Sequence, residues 1–179
     1  MMVGSSKASV EKPDFDALID EYRENLIFFV NGYVRDYHAA EDIASDTFAW
    51  LFVNQKKYDG RASFKTFLFT VARSRSLDYL KHAGKIAFTD LDEAEGYGGE
   101  DVEAKVIRSE KKKALHRVLS SLPEDMRTAL HLVYFEDMSY AEAASVMKKS
   151  KKQVDNLLFR AKNELRDALG KDGLFDENA

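Results

Sequence analysis

The residues best placed to do chemistry lie in one predicted helix near the C-terminal end of the sequence. Its apolar residues recur at helical spacing and form a single stripe: Val154, Leu157, Leu158, Ala161, Leu165 and Leu169. At about 100° per residue, Lys152, Asn156 and Phe159 then face away from that stripe. Cations and amides bond phosphates and base edges, and an outward ring can contact a thymine methyl group. The segment predicts a helix that reads duplex DNA, with a plainly solvated helix face as the alternative.

Two capping motifs divide residues 139–162 into a pair of short helices. Ser139 with Glu142, and Ser150 with Gln153, fit the box in which a side-chain oxygen caps a backbone N–H and the residue three positions on reaches back. Lysines precede and open the second helix, so its positive charge lies at its start. The pattern predicts a helix-turn-helix unit. A further helix is predicted to pack under this unit, with an apolar face made of Val106, Ile107, Leu115, Val118, Leu119 and Leu122. A capping box at Ser121 and Glu124, with Pro123 in the first turn, is predicted to start the helix that follows it.

Composition favours an all-helical protein. The 179 residues are 45% hydrophobic, with two prolines and nine glycines, enough for one core or two small ones. The lack of cysteine excludes disulfides and thiolate metal sites and fits a reducing cytoplasm. No apolar run approaches the roughly 18 residues that a membrane span needs, and no signal-peptide pattern is present. We expect a cytoplasmic protein without membrane insertion, with residues 1–12 as a disordered leader and 171–179 as a tail.

Charge alternates along the chain although the net charge is −4. Residues 14–55 carry −7 and residues 86–105 carry −6, whereas residues 56–85 carry +6 and residues 148–169 carry +4. Two basic patches predict two places that touch phosphate, and the acidic stretches predict a surface that meets a basic partner. Ordinary solvated helices also produce such alternation.

Three further helices are predicted between Asp14 and His82. The first carries an apolar stripe after a cap at Asp14, the second runs from about Ala39 to Val53 with an acidic start, and the third runs from Ser63 to about His82. Between the last two lies a basic loop with Gly60 and an aromatic. Interleaved rings and cations suit single-stranded nucleic acid, since rings stack on bases and cations bind phosphates. The best candidates for such contacts are Tyr58, Arg61, Arg73, Arg75 and Lys81.

Three separated motifs together resemble one known family. They are Ala40–Phe48, Phe64–Arg73 ending in Asp78–Lys81, and Leu122–Arg127 followed by the helix pair. In order and spacing, over about residues 14–169, they resemble the extracytoplasmic-function (ECF) sigma factors of bacterial RNA polymerase, within the sigma-70 family. The resemblance implies an all-α protein of two small helical domains joined by an acidic flexible linker. The boundaries expected are 13–84 for region 2, 85–105 for the linker and 106–170 for region 4.

The resemblance also implies functions for these parts. Region 2 would bind core RNA polymerase and open the minus-ten element, and region 4 would read the minus-thirty-five element of promoter DNA. An anti-sigma factor is a further partner that the resemblance allows. No cofactor, metal or enzymatic activity is expected, because the polymerase performs the chemistry.

Site residues are carried over from the family motifs one by one. Those expected at the polymerase are Asp42, Asp46, Thr47, Phe48 and Leu51. Those expected at minus-ten DNA, where flipped bases need stacking and unpairing, are Tyr58, Arg61, Phe64, Arg73, Ser74, Arg75 and Lys81. Those expected at minus-thirty-five DNA are Lys151, Lys152, Gln153, Asp155, Asn156, Phe159 and Arg160.

Four positions depart from the family pattern. Ser74 stands where an Asn is usual in the base pocket, Lys152 replaces a frequent Gly, and Asp155 and Leu157 stand where a basic residue is common. A carboxylate that faces the groove has one favourable base partner, the cytosine N4 amino group. Asp155 is therefore expected either to select a cytosine or to pair with Lys151 or Lys152 near the start of its own helix.

Other classes of function fit less well. The four histidines form no metal-spaced pair, and His38 with Asp42 is better explained as an exposed helix face than as a metal site. A stand-alone helix-turn-helix regulator, binding duplex DNA without polymerase, is the main alternative. The basic aromatic loop and the acidic second helix argue against it, and the helix pair argues against an RNA-binding module.

Overall fold

The computed structural model describes residues 14–87 and 110–171, and all the regular structure in those ranges is helical. The first range contains α1 (Phe15–Val34), α2 (Tyr37–Val53), a 3₁₀ turn (Gln55–Lys57) and α3 (Phe64–Ala87). The second contains α4 (Glu110–Ser121), α5 (Glu124–Leu130), a π-helical turn (His131–Phe135), α6 (Tyr140–Met147) and α7 (Lys151–Lys171). The predicted all-α fold class is confirmed.

Short polar side chains set the starts of the first three helices. Asp14 accepts from the Ala17 amide at 3.4 Å, as predicted, and Asp36 accepts from the Ala39 amide at 3.1 Å. The cap at Asp36 starts α2 at Tyr37, earlier than predicted, so the acidic pair at residues 41 and 42 lies beyond its first turn. The Ser63 hydroxyl accepts from the Thr66 amide at 3.1 Å and starts α3.

The apolar stripe predicted in α1 is buried or half-buried against α2 and α3. At its centre the rings of Phe29 and Phe69 meet edge to face, with centroids 5.0 Å apart. Each large apolar side chain buried here contributes about 1.5–3 kcal/mol. The helix α3 runs to Ala87, beyond the predicted end at His82, so residues 85–87 of the expected linker are helical. The rest of that linker lies outside the described residues.

Two expectations for the second range are wrong. The capping box predicted at Ser121 and Glu124 is absent, because the Ser121 hydroxyl donates to the Val118 carbonyl at 2.8 Å and Pro123 precedes α5 without a side-chain cap. Leu115 was expected on the apolar face of α4 but is exposed. Leu122 is buried as predicted. Val106 and Ile107, expected to begin α4, lie outside the described residues.

The helices of the two ranges share one apolar core. The helix α1 packs against α5, and α3 packs along α6. A continuous cluster of buried side chains runs from Leu26 in α1 through Phe69 in α3 to Met126 and Val146. The N-terminal half (α1–α3) and the C-terminal half (α4–α7) therefore meet in a closed arrangement.

Candidate nucleic-acid and protein interfaces

The helix pair α6–α7 is built by the two predicted capping boxes. The Ser139 hydroxyl accepts from the Glu142 amide at 3.2 Å, and a Glu142 carboxylate oxygen accepts from the Ser139 amide at 2.8 Å. These bonds lower the pKa of the Glu142 carboxyl. Ser150 and Gln153 repeat the pattern at 3.1 and 2.8 Å at the start of α7. Between the helices Lys148 adopts a left-handed conformation, with φ of 53°, which turns the chain.

The faces of α7 lie as the periodicity predicts. Val154, Leu158 and Ala161 are buried against the rest of the C-terminal half. Phe159, a large apolar side chain, is 67% exposed on the opposite face. All seven residues expected at minus-thirty-five DNA are exposed: Lys151, Lys152, Gln153, Asp155, Asn156, Phe159 and Arg160. An exposed aromatic flanked by cations and amides has the composition of a groove-reading surface.

One of the two alternatives for Asp155, an ion pair within its own helix, is not formed among the described residues. Within the described residues no Lys or Arg nitrogen lies within 4 Å of its carboxylate, so the pairing with Lys151 or Lys152 is not formed. The side chain of Gln153 is partly engaged within the protein, because its Oε1 atom accepts a hydrogen bond from the Ser150 amide. Asn156 makes no such bond among the described residues, so the carbonyl oxygen and the NH₂ of its side-chain amide are both exposed and unengaged.

The basic loop between α2 and α3 holds its aromatic ring inward. Tyr58 lies against Phe64 and Phe67, with centroids 5.7 and 5.3 Å away, and its hydroxyl donates to the Ala62 carbonyl at 2.8 Å. Tyr58 and Phe64 are therefore half-buried and pack on each other. The sequence had suggested instead that these rings are exposed and free to stack on bases. Arg61 is exposed and pairs with Asp59 at 3.3 Å.

The cations of α3 point in two directions. Arg75 lies over the Trp50 ring at 5.8 Å, and Lys57 lies over the same ring at 5.0 Å, which makes a basic cluster beside α2. Arg73, Ser74 and Lys81 instead line a cleft of which α6 forms part. Three of the five minus-ten candidates on α3 thus face the C-terminal half of the chain.

The residues expected at the polymerase also divide into two groups. Asp42 and Asp46 are exposed, one turn apart on α2. Thr47, Phe48 and Leu51 are buried in the core, and the Thr47 hydroxyl donates to the Ile43 carbonyl at 2.7 Å. In this conformation those three residues cannot touch a partner, so the contact role expected for them is not supported. They instead fix the orientation of α2 and its acidic face.

The described residues contain no group of three or more His, Cys, Asp or Glu side chains arranged to hold a metal ion. No described helix is long and apolar enough to cross a membrane.

Sequence reasoning missed the residues that join the two halves. They are Gly32, Tyr33, Arg35, Lys65, Ser120, Arg127, Thr128, His131 and Glu136. One signal was present, since His131 and Glu136 are polar residues that interrupt the apolar run after Leu130. The sequence does not indicate that Lys65 in the N-terminal half is the residue that contacts Glu136.

Two family models match the chain in order. The sigma-70 region 2 model matches residues 18–86, which span α1 to α3, and the sigma-70 region 4 model matches residues 112–165. These two matches define a sigma-70 type transcription initiation protein.

Known relatives identify the kind of sigma-70 protein to which this chain belongs. The ECF RNA polymerase sigma factor SigM of Bacillus subtilis is 31% identical over 163 residues, which cover 90% of this chain and 98% of that protein. The RNA polymerase sigma-H factor of Pseudomonas aeruginosa is 28% identical over 169 residues, covering 89% of this chain and 88% of that protein. This chain belongs to the ECF sigma factors, which direct promoter-specific transcription by RNA polymerase.

Two solved structures share the fold. The sigma factor RpoE of Bartonella quintana, in complex with the anti-sigma factor NepR, superposes with a TM-score of 0.67 at 23% identity, covering 88% of this chain and 97% of that chain. CnrH, in complex with the cytosolic domain of CnrY, superposes with a TM-score of 0.64 at 20% identity, covering 88% of both chains. The likeness extends over both halves of the molecule.

Proposed function

We propose that the two halves of this sigma factor have different functions. In the C-terminal half, α7 is proposed to recognise the minus-thirty-five element. The observation that carries this assignment is the outward face of α7. Its cations and amides are exposed, while the stripe behind it is buried. Phosphate contacts from Lys151, Lys152 and Arg160 would position the helix, and Asn156, Phe159 and Asp155 would contact base edges.

The N-terminal half is proposed to bind polymerase and open the minus-ten element. Asp42 and Asp46 offer an exposed acidic face for a basic surface of core polymerase. Arg61, Lys57 and Arg75 provide exposed or half-buried cations for phosphates, and Ser74 and Arg73 lie where the resemblance places the base pocket. Tyr58 and Phe64 would form the wall of that pocket.

The remaining assignments follow from family membership. The chain is proposed to act as a DNA-binding subunit without catalytic activity, in the cytoplasm with the polymerase, and its domain boundaries are proposed as 13–84 and 106–170. Since the sigma factor RpoE of Bartonella quintana was solved in complex with the anti-sigma factor NepR, an anti-sigma factor is a further proposed partner.

Promoter affinity should depend on the polymerase. Because the net charge of −4 opposes binding to a polyanion, the free protein should bind a duplex promoter fragment only in the micromolar range or weaker at physiological salt. Addition of core enzyme should tighten binding at least about 100-fold, into the range of specific complexes. Fluorescence anisotropy on a labelled promoter measures both states.

A shuffled promoter of equal length is the control, and it should show little gain on addition of core enzyme. Nanomolar, sequence-specific binding by the free protein would instead favour the stand-alone regulator.

A further inference from the structure

We propose that Trp50 orients two cations, Lys57 and Arg75, into a cradle that binds the phosphate backbone of single-stranded DNA whatever its bases. These three residues are called the Trp50 cradle. Its task during promoter opening, which is to hold the separated strand, rests on the proposed function, whereas the cradle itself does not. Trp50 is a positioning residue in this proposal, because it acts through the two cations.

The ring at the centre of the cradle has a defined position. Trp50 is the single tryptophan of the chain and lies in the last turn of α2, half-buried against the core. The backbone amide and the side-chain amide of Asn54 both donate to the Trp50 carbonyl, at 2.9 and 2.8 Å. These two bonds fix the end of α2 and the start of the turn that follows it.

That turn brings Lys57 back to the ring. The Lys57 amide donates to the Asn54 carbonyl at 2.9 Å, which closes the 3₁₀ turn. The Lys57 ammonium then lies 5.0 Å from the centroid of the Trp50 ring. A cation within about 6 Å of an indole face is attracted to it. The ring therefore restrains a long side chain that is otherwise exposed and free to rotate.

The second cation comes from a different helix. The guanidinium carbon of Arg75 on α3 lies 5.8 Å from the centroid of the same ring. Ala72 and Ser76, within one turn of Arg75, are buried, and this fixes the face of α3 from which Arg75 extends. A loop cation and a helix cation thus converge on one aromatic side chain.

No acid neutralises this pair in the part of the chain that the structure describes. There, no carboxylate oxygen lies within 4 Å of a Lys57 or Arg75 nitrogen. Asp59, the acid nearest to Lys57 in the sequence, pairs with Arg61 at 3.3 Å. Asp78, one turn after Arg75, is exposed and forms no ion pair. Two like charges near one ring repel each other, and a bound anion would relieve that repulsion.

The location of the cradle favours a DNA strand as that anion. Lys57 precedes Tyr58 in the basic loop, and Arg75 follows Ser74, which is proposed to line the base pocket. The cradle therefore borders both parts of the proposed minus-ten surface. None of its three residues lines the cleft that α6 covers, so the cradle is accessible in the free protein.

The chemistry of the cradle favours the phosphates of that strand over its bases. Ammonium and guanidinium groups bind phosphate oxygens, which are the same in every nucleotide. Because two cations already lie over the Trp50 ring, the ring serves to hold them and is not a stacking platform for a base. The cradle should therefore strengthen binding to an opened strand without affecting which promoter is chosen.

Binding of oligothymidine to the free, full-length protein tests the phosphate contact. A labelled strand of about 12 nucleotides contains no minus-ten sequence, and its anisotropy at low salt reports affinity. Lys57→Gln and Arg75→Gln should each weaken binding about 3- to 10-fold. Each should also reduce the slope of log K against log salt by about 0.7, the value for one phosphate contact on a single strand. In the wild type, tryptophan emission, which comes from Trp50 alone, should change as the strand binds.

A double-mutant cycle tests the positioning role of Trp50. Trp50→Leu should weaken binding about 3- to 10-fold, but should cost nothing further when Lys57→Gln and Arg75→Gln are already present, because no cation is left to orient. Trp50→Phe keeps an aromatic face and should stay within about 2-fold of the wild type. An effect of Trp50→Leu that persists without the two cations would overturn the positioning role. Circular dichroism checks that each variant stays folded.

Two neighbouring residues supply matched controls. Lys56→Gln removes an exposed cation from the same 3₁₀ turn, and Phe52→Leu removes an exposed ring from α2 at about 200° around the helix from Trp50. Both variants should bind oligothymidine within about 2-fold of the wild type, with an unchanged salt slope. A slope reduced as much by Lys56→Gln as by Lys57→Gln, or no binding of oligothymidine by the wild type, would refute the cradle.

Open promoter complexes formed with holoenzyme test the task. After challenge with heparin, the half-life of these complexes should fall about 3- to 10-fold for Lys57→Gln and for Trp50→Leu, while selection from a promoter library returns the wild-type sequence. An unchanged half-life or a shifted base preference would overturn the task. If even the wild type forms no promoter complex with core enzyme, the proposed function is refuted, and the oligothymidine titration still decides the cradle.

Discussion

Reversal of both exposed acids on α2, Asp42→Lys with Asp46→Lys, is expected to abolish binding to core RNA polymerase. The two carboxylates lie one turn apart on a face held in place by the buried Thr47, Phe48 and Leu51. Two repulsive charges at a basic interface should weaken association by at least about 100-fold. Because both side chains are exposed, the melting temperature should change by less than about 2 °C. Co-purification with core enzyme and thermal unfolding measure the two effects.

A charge-matched control is available on α1. Asp20 and Glu24 have the same spacing of four residues and are also exposed, so their reversal to Lys changes the net charge equally. This control should retain polymerase binding. Co-purification of the Asp42 and Asp46 variant at normal yield would show that α2 does not carry the polymerase contact.

Replacement of Asp155 by Ala is expected to relax promoter preference at one base pair. The Asp155 carboxylate is exposed on α7 and unpaired within the described residues, so it is available to accept a bond from a cytosine N4 amino group. Loss of that bond should reduce discrimination at one position by about 1–3 kcal/mol. General DNA affinity should stay equal or rise, because a charge that repels phosphate is removed. Selection from a promoter library with holoenzyme measures the preference.

Glu164→Ala serves as the control for Asp155→Ala. It removes an exposed acid from the same helix, but more than two turns away. It should leave the selected sequence unchanged. If Asp155→Ala also selects the wild-type sequence at every position, Asp155 reads no base.

Local chemistry was sufficient to predict most helices and which face of α7 is exposed. Ser139, Ser150 and Asp14 cap helices as their spacing predicts, because each cap depends only on residues within one turn. The outward position of Phe159 followed from the apolar stripe behind it. The exception was Ser121, whose hydroxyl bonds backward to Val118, since Pro123 occupies the N-cap position of α5.

It was harder to predict which of the residues assigned through the family resemblance are buried. Thr47 lies beside Asp46 in the sequence, yet one is fully buried and the other exposed, because α1 and α3 cover one face of α2. Tyr58 folds onto Phe64 and Phe67 for a similar reason, since the short loop brings its ring back to α3. Family motifs mark such positions as important but do not say whether they support the fold or touch a partner.

The contact between the halves could not be predicted at all. Lys65 and Glu136 are 71 residues apart, and neither half requires the other for its own periodicity. The polar residue Glu136 stands out in an apolar run, but the sequence does not show which cation pairs with its carboxylate. Only the three-dimensional structure joins the motif residue Lys65 to the turn that follows α5.

Transcript mapping tests whether this protein directs core RNA polymerase to specific promoters. Purified protein is mixed with core RNA polymerase and genomic DNA, and the 5′ ends of the transcripts are sequenced. We expect discrete start sites that share one minus-ten and one minus-thirty-five sequence, and that disappear when Asp42→Lys and Asp46→Lys are introduced. Start sites no different from those of core enzyme alone would contradict this expectation.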